Sequence, residues 1–95
     1  MDKITIKKLE RYIQLTGEAL QDIKVTINKE FDCIKAAKDI LEMAKRYYKD
    51  AKYYKDKNDF VTAFAAINYA HGWLDAGVKI GVFKVTKKEL FCIDK

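Results

Sequence analysis

Apolar side chains recur every three or four positions along three segments of the chain, and this spacing predicts three α-helices. The first helix is expected over about residues 6–24, where one apolar stripe runs along its length. The second is expected over about residues 29–57, with a wide apolar face opposite a strongly charged one. The third is expected over about residues 60–80. Proline is absent and glycine occurs four times, so few residues interrupt these helices.

The third predicted helix differs from the other two in its polarity. Two apolar stripes lie side by side along it, and only a narrow arc of Asn68, Asp75 and Lys79 is polar. A helix that is apolar nearly all round is buried on most sides. Two neighbouring helices cannot cover it completely. We therefore expect the C-terminal tail, or a second subunit, to cover the rest.

The C-terminal tail carries its own signals. Gly81 predicts the end of the third helix. Thr86 and Glu89 have the spacing of a capping box, which predicts a short final turn over about residues 87–92. That turn presents Leu90, Phe91 and Ile93 for docking onto the third helix. The expected fold class is all-α: one domain over residues 1–95, an antiparallel three-helix bundle with a central third helix and a short C-terminal helical turn.

Composition narrows the class of protein. The chain is 49% hydrophobic and 35% charged, as globular domains are. The first residues of the sequence lack the apolar segment of a secretory signal peptide. No apolar run approaches the ~20 residues that a membrane-spanning helix needs. We expect a cytoplasmic protein with no membrane contact. Cys33 and Cys92 are far apart, lack CxxC spacing and are accompanied by one histidine. These residues predict no zinc site, no other metal and no cofactor.

One part of the sequence resembles a known family. The resemblance is carried by Tyr47-Tyr48-Lys49-Asp50-Ala51, by Asn58-Asp59-Phe60, and above all by the run from Asn68 to Gly77, which reads NYAHGWLDAG. These strings are similar to DUF357, an archaeal domain of unknown function. The resemblance covers nearly the whole chain, including the Leu90-Phe91 tail. It implies a helical bundle in an archaeal cytoplasm, and it supplies no catalytic residues.

The residues Tyr69, His71, Trp73 and Asp75 are candidates for a small-molecule site. His71 and Asp75 are one helical turn apart, and a carboxylate at that spacing can orient an imidazole. The alternative is a packed histidine, with Asp75 satisfying one ring nitrogen and a tyrosine or carbonyl the other. No nucleophile is placed beside the pair by the sequence. We therefore do not expect an enzyme.

A lysine edge on the second helix is a candidate for binding nucleic acid. The net charge is +5, and lysines alternate there with tyrosines, a combination that can bind single strands. The four lysines that follow one outer edge are Lys38, Lys45, Lys49 and Lys52. The alternative is a solvated lysine surface beside core tyrosines. We favour a third function over both sites, that of a protein-interaction module. We expect it to bind a second copy in a homodimer, or another protein, through leftover apolar surface on the third helix and tail.

Overall fold

The computed structural model describes residues 4–25 and 34–91. Three helices fill most of these residues: α1 (Ile6–Asp22), α2 (Ile34–Asp56) and α3 (Phe60–Lys79). The predicted all-α three-helix fold is confirmed. Several parts of the sequence discussed above lie outside the described residues: residues 26–28 between the first two predicted helices, the first residues of the predicted second helix, Cys33, Cys92 and Ile93.

Two short strands were not predicted by the sequence pattern. Strands β1 (Lys24–Val25) and β2 (Phe83–Lys84) follow α1 and α3 and pair antiparallel. Val25 lies opposite Phe83 in this pairing. The ladder fastens the residues that follow α3 to the end of α1. A 3₁₀ turn over Lys88–Leu90 then closes the described chain.

The ends of α3 are set by local hydrogen bonds. Asp59 is the N-cap residue, and its Oδ1 accepts the N–H of Thr62 at 3.2 Å. At the other end Gly81 has a φ of +85°, the left-handed conformation that glycine adopts most readily. The N–H of Val82 then donates to the carbonyl of Gly77 at 3.0 Å. The predicted termination at Gly81 is confirmed.

Helix α3 is central because α1, α2 and the tail all pack on it. Alanines spaced by seven along α2 are fully buried, and they allow the backbones of α2 and α3 to approach closely. These alanines are Ala37, Ala44 and Ala51. One core cluster contains Leu9 and Ile67, and the other contains Leu74 together with Phe83 and Phe91 of the tail. The predicted docking of the tail is therefore confirmed.

Two glycines admit aromatic rings into this core. A Cβ atom at Gly17 would lie 2.7 Å from the hydroxyl oxygen of Tyr48, so glycine lets Tyr48 pack directly onto α1. A Cβ atom at Gly77 would overlap the ring of Phe83. Both glycines are needed for close approach within the chain itself.

The predicted capping box of the tail does not form. The hydroxyl of Thr86 donates to Asp22 at the end of α1, and the 3₁₀ turn has no side-chain cap. Asp22 also accepts the backbone N–H groups of Thr86 at 2.8 Å and of Lys87 at 2.9 Å. The hydroxyl of Thr86 lowers the pKa of Asp22 most, and the Lys87 N–H adds to this effect. The capping motif was outcompeted because a carboxylate offers Thr86 a stronger, charge-assisted partner.

Candidate functional site

His71 joins three parts of the fold. Its Nε2 lies 2.6 Å from the carbonyl oxygen of Leu90, and its Nδ1 lies 3.0 Å from the hydroxyl of Thr16 on α1. A carbonyl only accepts hydrogen bonds, so Nε2 carries the proton and donates it. In the neutral ring, Nδ1 then accepts from Thr16. The imidazole of α3 therefore connects the tail to α1. We call these two hydrogen bonds, which join His71 to Leu90 and to Thr16, the clasp.

Asp75 has a secondary place in this arrangement. Its Oδ1 lies 3.7 Å from Nε2 of His71, beyond hydrogen-bonding distance. The Leu90 carbonyl and the Thr16 hydroxyl take the two ring nitrogens instead. The interpretation of His71 as a packed histidine is thus the one its geometry fits, with Thr16 in place of the expected carboxylate. Both ring nitrogens therefore have hydrogen-bond partners within the fold.

A cavity of about 330 Å³ lies beside the clasp. Tyr12, Asn68, Gly72 and Glu89 line it together with His71 and Asp75, among others. It holds two of the four candidate ligand-binding residues.

The other two candidates, Tyr69 and Trp73, lie on a different side of α3. Tyr69 packs edge-on against Tyr47 of α2 with ring centroids 4.5 Å apart, and against Trp73 at 6.0 Å. Neither of them lines the cavity beside His71. The structure therefore divides the four predicted site residues into two pairs, one facing α1 and the tail and one facing α2.

The Tyr69 side opens into a groove of about 570 Å³ between α2 and α3. Tyr47 and Tyr54 of α2 and Tyr69 of α3 contribute aromatic rings, while Ala65 and Ala66 contribute small side chains. Asp50 is the charged residue among those that line it. The groove suits an apolar or aromatic group more than a charged one.

Within the described residues, one face of α3 is left uncovered beside this groove. We call it the outer face of α3, and it comprises Val61, Thr62, Ala65, Asn68, Tyr69, Gly72, Ala76, Lys79 and the adjoining Ile80, all exposed. Val61 is 71% exposed and Ile80 is 62% exposed. Lys79, at one end, is the charged member. Sequence reasoning predicted leftover apolar surface on this helix but did not identify which residues form it.

The four lysines of the predicted basic edge are all exposed on α2. Lys52 lies over the ring of Tyr48, with its Nζ 5.4 Å from the ring centroid. Tyr48 itself packs on Gly17 of α1, and Tyr47 packs on Tyr69. Tyr53 is 56% exposed but contacts Tyr54 and Lys57. The edge is therefore a row of cations whose neighbouring aromatic rings are mostly engaged elsewhere.

Two further properties concern the described residues as a whole. Within residues 4–25 and 34–91, no group of three or more His, Cys, Asp or Glu side chains is arranged to hold a metal ion. No helix in those same ranges is both long and apolar enough to cross a bilayer.

Comparison with known protein families finds a match over residues 11–83 to the family described as "Protein of unknown function (DUF357)". The chain belongs to the DUF357 family. The match runs from Arg11 on α1 to Phe83 of β2, so the DUF357 region contains the His71 side chain, the groove and the outer face of α3. It ends before Leu90 and Phe91, which the sequence resemblance had included. The comparisons with curated proteins and with solved structures find no match.

Proposed function

We propose that this domain is a protein-interaction module whose docking surface is the outer face of α3 together with the adjoining groove. The partner is a protein, either a second copy of the chain or another macromolecule of the same class. A cytoplasmic location and an archaeal source stay predictions. The observation that supports the proposal most is the difference in charge between the exposed surfaces of α2 and α3.

Both helices belong to the same chain, so the exposed surface of α2 serves as the reference for that of α3. Helix α2 exposes twelve residues, and ten of them are charged. Helix α3 exposes eight residues over a similar length, and Lys79 is the charged one among them. Solvent-facing helix surfaces are usually charged, whereas the centres of interfaces are depleted in charge and enriched in aromatic side chains. The outer face of α3 has the composition of an interface.

The groove supplies the shape that such a surface needs. Exposed apolar patches bordered by polar residues mark interaction sites. Here the aromatic walls of Tyr47, Tyr54 and Tyr69 stand beside a floor of Ala65 and Ala66. A projecting side chain of a partner can enter between the walls, and tyrosine-rich pockets of this type are favoured at the centres of interfaces.

Site-resolved hydroxyl-radical footprinting tests the proposal, because two tyrosines form a matched pair. Tyr69 on the outer face is 52% exposed, and Tyr53 on α2 is 56% exposed. We expect both to react similarly in dilute purified protein. As the purified protein is concentrated, or when isotope-labelled protein is added to an extract of its source cells, Tyr69 should become several-fold less reactive while Tyr53 changes little.

Two variants control this measurement. Ala65→Glu places a charge in the outer face and should abolish the protection of Tyr69. Gln14→Glu places the same residue at an exposed position of α1 and should leave the protection intact. Equal reactivity of Tyr69 and Tyr53 in both the concentration series and the extract would overturn the proposed function.

A second candidate function, binding to nucleic acid, is supported by the lysine edge of α2. The four exposed lysines, Lys38, Lys45, Lys49 and Lys52, span about 21 Å of helix. The predicted signature is binding to RNA or DNA that weakens steeply with salt and is lost when all four become Gln. Fluorescence anisotropy with a labelled oligonucleotide at low salt measures it. The charged α2 surface needs no such ligand, so this function ranks second.

A further inference from the structure

Gly72 lies in the middle of α3, and contacts among the described residues do not explain it. Glycine is unfavourable inside a helix compared with alanine, so a structural reason is expected. Gly17 and Gly77 each admit an aromatic ring, and Gly81 has a positive φ. A Cβ atom at Gly72, by contrast, would meet nothing within 4 Å. Gly72 is exposed, and it also lines the cavity beside His71.

The order of residues along the outer face is self-complementary. In an antiparallel pairing of two α3 helices, related by a two-fold axis level with Ala70 and His71, residue 69 of one copy lies opposite residue 72 of the other. The large ring of Tyr69 then meets the vacant position at Gly72, twice. The same register places Ala65 opposite Ala76. Such reciprocal contacts are what a two-fold symmetric interface requires.

The ends of the face fit this register as well. Val61 lies opposite Ile80, which pairs the two most exposed apolar side chains of α3 and its cap. Lys79 lies opposite the uncharged Thr62. Two copies of a chain with a net charge of +5 repel each other, and this pairing brings no like charges together along the helix. Charge therefore favours this face over the lysine-rich surface of α2 for contact between copies.

We infer that the docking surface binds a second copy of this chain, with the two α3 helices antiparallel and Tyr69 of each copy seated on Gly72 of the other. This inference rests on the proposed function and names its partner. The outer face is about 29 Å long, and its nine residues are fewer than the roughly 20–30 a side of a standard interface. We therefore expect a reversible dimer that forms in the micromolar range or above.

Sedimentation velocity and equilibrium over a wide concentration range test the inference with the 95-residue chain. We expect the native protein to pass from monomer to dimer. Gly72→Leu fills the vacant position and should weaken the dimer at least about tenfold. Ala65→Glu buries a carboxylate opposite an alanine and should weaken it about 100-fold. Gln14→Glu should dimerise like the native chain.

A designed rescue distinguishes the antiparallel register from other pairings. In the double variant Ala65→Glu/Ala76→Lys, each new carboxylate lies opposite a new ammonium of the other copy. Within one copy the two positions are about 16 Å apart along the helix, too far to pair. We expect the double variant to recover dimerisation to within about tenfold of the native value. Circular dichroism establishes that each variant retains native helix content, so a loss of dimer is not a loss of fold.

The possible results separate the two proposals. A monomer at all concentrations, with Tyr69 still protected in the cell extract, would overturn the second copy and keep the interaction module. A dimer that survives both Ala65→Glu and Gly72→Leu would place the interface elsewhere and overturn the inference. A double variant that stays monomeric would overturn the antiparallel register.

Discussion

Two glycines of α3, five residues apart, should respond in opposite ways to the same substitution. Gly72 is exposed, and an added Cβ atom there meets nothing within 4 Å. Gly77 is buried, and an added Cβ atom there overlaps the ring of Phe83, whose Cγ would lie 3.2 Å away. Intrinsic helix propensity favours alanine over glycine at both positions by about 1 kcal/mol. Only the packing differs.

The expected magnitudes follow from that difference. Gly72→Ala should raise the free energy of unfolding of the monomer by about 1 kcal/mol. At Gly77 the same gain is offset by overpacking, which costs about 1–3 kcal/mol. Phe83 has little room to yield because it is 4% exposed and is held by the β-ladder opposite Val25. The two variants should therefore differ by about 1–3 kcal/mol, with Gly77→Ala the less stable.

Urea and thermal denaturation, followed by far-ultraviolet circular dichroism at concentrations where the chain is monomeric, measure both variants. One kcal/mol corresponds to about 4–8 °C in Tm for a domain of this size. A double-mutant cycle with Phe83→Leu supplies the control, since Gly77→Ala should cost less once the ring is gone. If Gly77→Ala stabilised the protein as much as Gly72→Ala does, the close contact of Phe83 with α3 would be refuted. If Gly72→Ala destabilised the monomer, position 72 would not be open as described.

Three further predictions concern the contacts that hold the tail and α1 in place. His71→Ala leaves the Leu90 carbonyl and the buried Thr16 hydroxyl without their partner, and should lower the free energy of unfolding by about 2–3 kcal/mol in urea denaturation; an unchanged midpoint would contradict the clasp. The lowered pKa of Asp22 implies that its bonds to the tail stabilise the fold fully above the unfolded-state pKa of about 3.9, and that this contribution is lost as the pH falls through the lower folded-state pKa. Asp22→Asn should therefore be less stable than the native chain at neutral pH, with the gap closing on acidification; a gap independent of pH would contradict this reasoning. Gly17→Ala should destabilise α1 packing by about 1 kcal/mol through the Tyr48 hydroxyl, and Tyr48→Phe should recover part of that loss in the same assay.

Helical periodicity predicted the three helices because each has a long series of apolar residues three or four positions apart. An α-helix places such residues on one face, where they can be buried together. The pattern of apolar residues could not predict the β-ladder, because strands of two residues are too short to show a period. The tail showed a different limit. Thr86 and Glu89 have the spacing of a capping box, but Asp22 is 64 residues away from Thr86 in sequence and next to it in space. Local motifs predict local hydrogen bonds, and they fail where a distant carboxylate competes for the same donor.

Helix geometry alone could have separated the four candidate ligand-binding residues into the two pairs that the structure shows. Residues two apart on a helix do not share a face, whereas residues four apart do. His71 therefore groups with Asp75, and Tyr69 groups with Trp73, as the structure has them. The partners of His71 could not be predicted in this way, because Thr16 is 55 positions away and the Leu90 carbonyl is a backbone group that carries no signal in the sequence.

The outer face of α3 shows why interfaces are harder to predict than cores. From Phe60 to Leu74 the chain carries no Asp, Glu, Lys or Arg, and burial within the fold and burial against a partner both favour such a stretch. The sequence therefore cannot say which side of the helix is left over. Gly72 and Gly77 are the clearest case, since both read as small residues that permit close contact. At Gly77 the contact is with Phe83 of the same chain. At Gly72 an added Cβ atom would meet no atom of the described residues within 4 Å, so the contact that favours a glycine there is the one we infer with a second copy of the chain.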